Sequence, residues 1–514
     1  MKNTKTSKIK GKIKTIETLV QKFEGHRRRG KRLVLCHGCF DLLHIGHIRH
    51  FERAKEHGDV LAVTITPDRY VDKGIGRPAF NENIRAEALA SLDVVDYVAI
   101  NQWPTAEETL RMLRPDFYAK GSEFKAPNSD YTGKIDREVA VVEEIGAHLV
   151  YTEDVVFSSS NLINRFLSNR SQELHEYLEV FTKRYSIKDI HAHLDKLSDL
   201  KVLVLGDTIL DDYCYCEAIG KSSKDPVLAV NFKTNDLFVG GVLAVANHVA
   251  GYVDDVKLMT VIGEKDSHED FIRSKLDQKI QPQFLVQDGA PTLIKRRILD
   301  GYSYNKLLEI YIMDDSGLPP AKNEEFCRLL AEYVPTYDLV IVADFGHGAI
   351  SDQVVQTLCR HARFLAVNTQ ANAGNRGFHT ISRYPRADFV SLAEHEVRLD
   401  TREMTKPLRP IMQDLADRLG TKALVVTRGQ RGALILDHEG GFVSTPSLAT
   451  NVVDRVGAGD AFFAITALAS AKGVPSELLG MIGNAVGALA VGVIGNKKPI
   501  NKMDVKKFIT ALLK

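Results

Sequence analysis

The amino-acid sequence predicts an α/β protein built from two doubly wound domains in succession. Short runs of branched apolar residues alternate with stretches of helical periodicity, which is the pattern of parallel sheets flanked by helices. The alternation lapses into polar helical sequence from Asn161 to Leu200 and then restarts. A chain of 514 residues accommodates two to four domains at roughly 100–200 residues each.

The opening segment is rich in Lys and Arg, including His26-Arg27-Arg28-Arg29, and reads as a solvated basic tail and surface helix over residues 1–30. Arg32-Leu-Val-Leu-Cys36 is a buried strand bounded by charge and by Gly38. A helix is expected from Ile45 to His57, strands at 60–65, 97–100 and 117–120, a helix from Lys134 to Ile145 and a strand at 148–151. These elements make a first domain over 31–167, followed by a helical linker over 168–200. The second domain, 201–514, starts with the strand Lys201-Val-Leu-Val-Leu205 and continues with strands at 339–343, 364–367 and 423–427. Helix-rich sequence closes it from Ala461. The apolar stretch 478–495 is broken by Asn484 and glycines, falls short of a ~20-residue membrane span, and is expected to be a buried helix.

Lys and Arg number 67 against 66 Asp and Glu, a net charge of +1. No global field therefore draws the chain to nucleic acid or to a membrane, and neither is expected as a partner. Six cysteines do not make a disulfide framework, and the basic N-terminus has no apolar core of a signal peptide. A cytoplasmic protein is expected.

Gly38-Cys-Phe40-Asp41-Leu-Leu-His44-Ile-Gly46-His47 lies just after the first strand and opens a helix. Helix N-termini at the carboxyl ends of parallel strands present free amides to phosphate. His44 and His47, three apart, share a helix face and could stabilise charge on a phosphorus under attack. The same spacing could be half a zinc site with Cys36-x-x-Cys39, but Cys36 falls inside the strand and no second pair follows. The segment resembles the nucleotidyltransferase superfamily marked by H-x-G-H, together with Asp68 to Pro78 containing Lys73, Arg85 with Ser91-Leu-Asp-Val-Val-Asp96, and Phe157-Ser158-Ser159-Ser160-Asn161. The resemblance implies a Rossmann-like fold in which Gly38, Phe40, Asp41, Gly46, Lys73, Arg85, Lys120 and the serines hold a triphosphate. Lys120-Gly-Ser-Glu123 is similar to the heptose 1-phosphate adenylyltransferase branch.

In the second domain, Asp454-Arg-Val-Gly457-Ala458-Gly459-Asp460 runs into an apolar helix. Small residues let the backbone form an anion-binding turn, and Asp460 at the helix start can accept a proton from a hydroxyl nucleophile. The segment resembles the second signature of ribokinase-like sugar kinases, usually D-T-x-G-A-G-D. That resemblance extends to Asp207 and Asp211 and the paired Gly240-Gly241 as a sugar site, to Thr427-Arg-Gly429-x-x-Gly432 as a nucleotide loop, to Asn484 beside the adenine, and to Asp344 as a polar site residue. It also aligns Ser391-Leu-Ala-Glu394 with the metal-linked N-x-x-E motif, with Ser in place of Asn. Gly206-Asp-Thr-Ile-Leu-Asp211-Asp-Tyr213 is similar to the heptose 7-phosphate kinase branch; a second substrate anion would want cations such as Lys295, Arg296 or Arg297, with Arg296 the chosen candidate.

The pairing resembles a bifunctional heptose enzyme of ADP-heptose synthesis with its domain order reversed. It implies a C-terminal kinase acting at C1 of a sugar phosphate with ATP, an N-terminal transfer of AMP to a sugar 1-phosphate, and Mg²⁺ with the nucleotide. A separate phosphatase acting between the two steps and a homo-oligomer are also expected. The alternatives are a polyol or sugar-phosphate cytidylyltransferase fused to a kinase of other specificity, or a kinase half that only senses sugar.

Overall fold

The computed structural model describes residues 9–71, 78–122, 134–152, 171–302, 304–314 and 316–513. It separates into two compact units, one holding the chain to residue 169 and the other residues 170–509.

In the first unit, β1 (Ile13–Lys14), β2 (Leu33–Gly38), β3 (Val60–Ile65), β4 (Tyr97–Ile100), β5 (Phe117–Gly121) and β6 (His148–Thr152) form one sheet in the order β1-β4-β3-β2-β5-β6. Every pairing is parallel. Helices α1 (Ile16–Arg27), α2 (Ile45–Glu56), α3 (Glu82–Ala90), α4 (Glu107–Leu113) and α5 (Lys134–Glu144) accompany it. One sheet face buries Leu33, Leu35, Ala62 and Tyr118, the other Val34, Cys36, Val63 and Ala119. That two-sided burial is why these strands read as continuous apolar runs. The chain steps outward from β2 to β3 and β4, then returns to the other side of β2 as β5. The order thus reverses at β2, and a ligand crevice belongs at its carboxyl end.

Of the basic tail and surface helix expected over 1–30, the helix is present at Ile16–Arg27, and the residues from 13 onward are packed into the first unit rather than solvated. Ile16, Leu19 and Phe23 recur at helical spacing and are fully buried, and β1 extends the sheet beside β4. Arg27 donates to the carbonyls of Leu113 and Arg114 at 3.0 and 2.7 Å. The charges lie on the outer face of an amphipathic helix and hide its apolar stripe from a composition reading.

The second unit begins with α6 (Gln172–Arg184) and α7 (Ile187–Asp195). These were expected to be linker; instead they bury Leu174, Leu178, Phe181, Ile190 and Leu194. Arg184 pairs with Glu477 at 3.0 Å and Lys506 with Asp195 at 2.7 Å, fastening the segment to the second unit. The main sheet comprises β7 (Lys201–Lys221), β9 (Asp255–Lys265), β10 (Ile280–Pro291), β13 (Leu339–Asp344), β14 (Leu365–Thr369), β15 (Phe389–Ala393), β16 (Ala423–Thr427), β17 (Ala433–Asp437) and β18 (Gly441–Thr445). Its order is β10-β9-β7-β13-β14-β15-β16-β17-β18. It is parallel up to β16, with β17 and β18 antiparallel.

β7 is 21 residues long and leaves the main sheet after Asp207. Its second half joins a small sheet with β8 (Leu228–Gly240), β11 (Ile294–Asp300) and β12 (Lys306–Ile312). Helices α8 (Gly241–Ala250), α9 (Glu269–Lys275), α10 (Pro320–Tyr333), α11 (Asp352–His361), α12 (Glu394–Thr401), α13 (Leu408–Leu419), α14 (Ala458–Ala471), α15 (Ser476–Ala490) and α16 (Lys502–Leu513) complete the described elements used below. α15 is buried along most of its length, as its apolar sequence anticipates. Among the described residues no helix is long and apolar enough to cross a membrane.

Candidate active sites

At the end of β2 the chain turns through Phe40, which holds a left-handed φ of 47°. Its ring lies so close to Gly38 that a Cβ there would approach it to 3.0 Å. The same ring packs edge-on against His47 and Phe51, at 5.2 and 5.0 Å between centroids. Phe40 therefore sets the position of the His47 imidazole. His44 caps α2, its Nδ1 accepting the Gly46 N–H at 3.1 Å. The His44 and His47 rings stack at 3.9 Å and 26°. His44 Nε2 is buried without a hydrogen-bond partner among the described residues, and burial lowers the pKa of the ring. A neutral imidazole with an uncommitted nitrogen at a helix N-terminus suits a phosphate oxygen. Asp41 accepts the N–H groups of Ala79 and Phe80 at 2.9 and 3.1 Å, fixing the segment before α3 over the crevice.

Two phosphate contacts expected from the sequence are corrected. Arg85 is fully buried; it donates to the carbonyls of Phe80, Cys39 and Thr66 and pairs with Asp68 at 2.6 Å. A guanidinium so committed braces the loop and does not meet solvent. Lys120 is buried and paired with Glu138 at 2.7 Å. Burial alone would raise the Glu138 pKa, but the Lys120 ammonium, His37 and the Tyr118 hydroxyl together outweigh it and hold it below the usual value. Tyr118 donates to the same carboxylate at 2.8 Å. His50, three residues past His47, binds Thr152 at 2.6 Å; burial and then Lys120 push it down to about 4. The His47-x-x-His50 spacing could have marked it. Lys73, Ser158, Ser159 and Ser160 lie outside the described residues.

In the second unit, Gly457 caps α14 with φ +79°, and a Cβ there would lie 2.0 Å from Asn496 Oδ1. Only glycine fits that turn. Ala458 and Gly459 begin the helix, with open space around the Gly459 Cα, and Asp460 follows in its first turn. Burial and then Asp211 push the Asp460 carboxyl up to about 7, with Lys295 pulling the other way. Asp211 and Lys295 therefore lie within electrostatic reach of Asp460. Asp211 pairs with Arg297, and its Oδ2 occupies the space where a Gly240 Cβ would lie 2.2 Å away. Gly241 has φ +54°, and a Cβ there would meet Asp207 O at 2.6 Å. The paired glycines are thus required by the close passage of β7.

Strand alternation corrects the cation choice. Lys295 and Arg297 are buried on the β11 side that faces Asp211, whereas Arg296 points away, half-exposed, and pairs with Asp212 at 2.7 Å. Lys295 is only 4% exposed, its ammonium 5.1 Å from the Tyr311 ring centre and 6.0 Å from that of Phe345. Burial lowers its pKa. His347, whose Nε2 is buried without a partner among the described residues, packs near Tyr311. Burial and then Lys295 push His347 down to about 3.

Asp207 and Asp344, expected at the sugar site, spend their carboxylates on protein groups. Asp207 accepts the N–H groups of Phe345 and Ala349 at 2.9 and 3.0 Å, shaping the loop that carries His347. Asp344 is 1% exposed and holds His379, Arg383 and Tyr384 at 2.5, 3.0 and 2.7 Å.

The loop after β16 has left-handed turns at Gly429 and Gly432; a Cβ on Gly432 would lie 2.0 Å from Thr445 O. Thr427, Arg428, Gly429, Arg431, Ala393 and Glu394 line a shallow cavity of about 400 Å³. Glu394 gives both oxygens to guanidinium groups, Oε1 to Arg398 at 2.9 Å and Oε2 to Arg431 at 2.5 Å; it is not poised for a metal. Glu396 is the buried carboxylate here, accepting the N–H groups of Ala393 and Ala371 at 2.7 and 3.2 Å and raising the Asp460 pKa. Asn484 spends its amide on Thr445 Oγ1 at 2.7 Å, so it steadies β18 instead of presenting a free donor to a base. Among the described residues no cluster of three or more metal-ligating side chains occurs.

Residues 35–166 match a cytidylyltransferase-like family model, and residues 199–503 match the pfkB family carbohydrate kinase model. The chain is 26% identical over 329 residues to the bifunctional protein HldE of Hydrogenovibrio crunogenus, covering 63% of this chain and 65% of that one. It is 38% identical over 165 residues to the bifunctional protein HldE of Pelobacter propionicus, covering 31% and 32%. The matches thus span less than two thirds of those relatives. The tetrameric inhibited form of phosphofructokinase-2 from Escherichia coli superposes with a TM-score of 0.50 at 16% identity, over 61% of this chain and 100% of that one; at that identity the likeness is one of fold. With its second unit ribokinase-like in fold and its family match spanning more than half the sequence, the chain belongs to the pfkB family of carbohydrate kinases.

Proposed function

We propose that the chain is a bifunctional transferase of nucleotide-sugar synthesis. Its second unit phosphorylates a sugar phosphate, in our reading heptose 7-phosphate, at C1 with ATP. Its first unit transfers AMP from ATP to a sugar 1-phosphate and releases pyrophosphate. The observation that carries the reading is Asp460, a carboxylate poised near neutrality at a helix N-terminus and within electrostatic reach of Asp211 and the buried Lys295. A base, an anion hole and cations for a substrate that is already anionic are what phosphorylation of a sugar phosphate needs.

Asp460 takes the proton from the attacking hydroxyl while the amides of 457–460 receive the transferred phosphoryl group. Mg²⁺ bound to the triphosphate would neutralise its oxygens, while the amides of 457–460 and Asp460 hold and deprotonate the reacting groups. In the first unit His44 and His47 take the phosphate chain, so positioning and charge stabilisation carry the rate. The nucleotidyltransferase half precedes the kinase half, which we read as a reversal of the familiar order. A separate phosphatase acts between the steps.

A second reading, CTP in place of ATP at the first unit, is favoured by the cytidylyltransferase-like match over 35–166. A panel of sugar phosphates with ATP or CTP, monitored for ADP and pyrophosphate, decides. Pyrophosphate released only with CTP overturns the adenylyl assignment, and absence of ADP with every sugar phosphate overturns the kinase reading.

A further inference from the structure

We infer that Asp454 is a positioning residue that fastens the small sheet to the loop building the kinase anion hole, and so keeps phosphoryl transfer tied to a seated sugar. The inference rests on the kinase reading of the second unit.

Each oxygen of Asp454 takes one donor from the small sheet and one from the loops around the anion hole. Oδ1 accepts Lys306 Nζ of β12 at 2.8 Å and the Val456 N–H at 3.2 Å. Oδ2 accepts the Tyr213 hydroxyl of β7 at 2.7 Å and the Gly495 N–H at 3.0 Å. Val456 immediately precedes Gly457, the cap of α14. Burial would raise the Asp454 pKa, but Lys306 and Tyr213 hold it below the usual value, so the carboxylate stays charged and its four bonds are charge-assisted.

Apolar packing follows the same line. Tyr213 is fully buried and edge-on to Phe238 of β8 at 5.3 Å. The Phe238 ring lies 3.1 Å from the place a Gly495 Cβ would occupy. On the other side of Tyr213, the Arg297 guanidinium sits 5.6 Å from the ring centre while pairing with Asp211. An unbroken run of contacts therefore joins Asp211 in the sugar site, through Arg297, Tyr213 and Asp454, to the turn at Gly457. Because two strands of the small sheet, β7 and β12, converge on one carboxylate, a shift of that sheet changes what holds Val456 and hence the amides of the anion hole. Without the fastening, the hole would form irrespective of the sugar. Water could then replace the sugar hydroxyl at the γ-phosphorus, breaking its bond to the β-phosphate bridging oxygen and yielding ADP and inorganic phosphate, with Asp460 taking the water proton.

The test uses the full chain with Tyr213→Phe, Lys306→Met, their combination, and Lys306→Arg. Hydrogen–deuterium exchange without any substrate is read on peptides covering 451–460. Faster exchange there by at least fivefold in the double variant, with the thermal midpoint within a few degrees of wild type, is expected. Unchanged exchange in 451–460 overturns the fastening whatever the enzyme's substrate. In turnover, the double variant should lose at least tenfold in sugar-phosphate kcat with an ATP KM within threefold, while the fraction of ADP formed without sugar product rises. Lys306→Arg should restore coupling. Parallel loss of kcat and thermal midpoint, with no rise in uncoupled ADP and no rescue, also overturns the proposal. Wild type inactive on every sugar phosphate sinks the functional reading instead and leaves the exchange result to judge the fastening.

Discussion

Asp460 and His44 sit in chemically different settings, and each tests one half of the protein. Asp460 is the only base proposed for the sugar hydroxyl, so Asp460→Asn should lower sugar phosphorylation by about 10²–10⁴-fold while pyrophosphate release by the first unit stays within twofold. His44→Ala removes a buried imidazole nitrogen that has no hydrogen-bond partner among the described residues and should cost nucleotidyl transfer about 10²–10³-fold, with ADP formation unchanged. Paired ADP and pyrophosphate assays on both variants check this; loss of both activities from one substitution in a folded protein would contradict two separate sites. The pH profile follows from the same residue. The Asp460 carboxyl is pushed up to about 7 by burial and by Asp211, and the base form is the ionised one. The kinase kcat/KM should therefore climb as pH rises through about 7 and level above it. Lys295 opposes that elevation, so Lys295→Met should move the midpoint to higher pH; a shift downward would show that Lys295 does not face the base.

At the scale of elements, the β11 alternation makes a sharp prediction about specificity. Lys295 and Arg297 project toward Asp211 and Arg296 projects away. Lys295→Met should raise the KM for a sugar phosphate by tenfold or more and spare the KM for ATP, whereas Arg296→Ala should leave both within twofold. Equal effects from the two substitutions would mean that β11 does not present one face to the substrate. The strand also shows where sequence reading stops. Buried parallel strands such as β2, β3, β13 and β16 are continuous apolar runs and are visible directly, as are the glycine turns at Gly457 and Gly432, because only one residue type satisfies their backbone. β11 interrupts its apolar residues with Lys-Arg-Arg, so its register, and with it the choice among three adjacent cations, emerges only from pairing with β7 and β12. α1 is obscured in the same way by its basic outer face. Arg85, Lys120, Asp207, Asp344, Glu394 and Asn484 are of the right type at motif positions, but whether a polar group meets a ligand or a backbone amide depends on three-dimensional neighbours that spacing does not encode. Glu396 lay two residues from the chosen Glu394 for that reason.

For the whole molecule, self-association and the division of chemistry are the two open consequences. The small sheet exposes Phe232, Leu308 and Ile310, large apolar groups on a structure with few layers to cover them. The expected homo-oligomer would use that sheet, so Phe232→Asp combined with Leu308→Asp should shift the mass measured by light scattering toward a single chain. An unchanged mass would place self-association elsewhere. The two proposed reactions, in turn, do not share a substrate. The kinase adds a phosphate at C1 of a sugar that already carries one, giving a bisphosphate, while the transferase needs a sugar with phosphate at C1 alone. In the proposed reading Lys295 faces the second anion in the kinase cleft and His44 and His47 take phosphate oxygens in the H-x-G-H crevice, where Lys120 and Arg85 are already committed to protein carboxylates. Incubation of the chain with sugar phosphate and excess ATP should therefore consume one equivalent of ATP and stop at the bisphosphate. Addition of a phosphatase that clears the distal position should restart consumption and release pyrophosphate in proportion to the sugar. Mass spectrometry of the sugar products resolves the two stages, and nucleotide-sugar formed by the chain alone would show that one of its sites cleaves the distal phosphate itself.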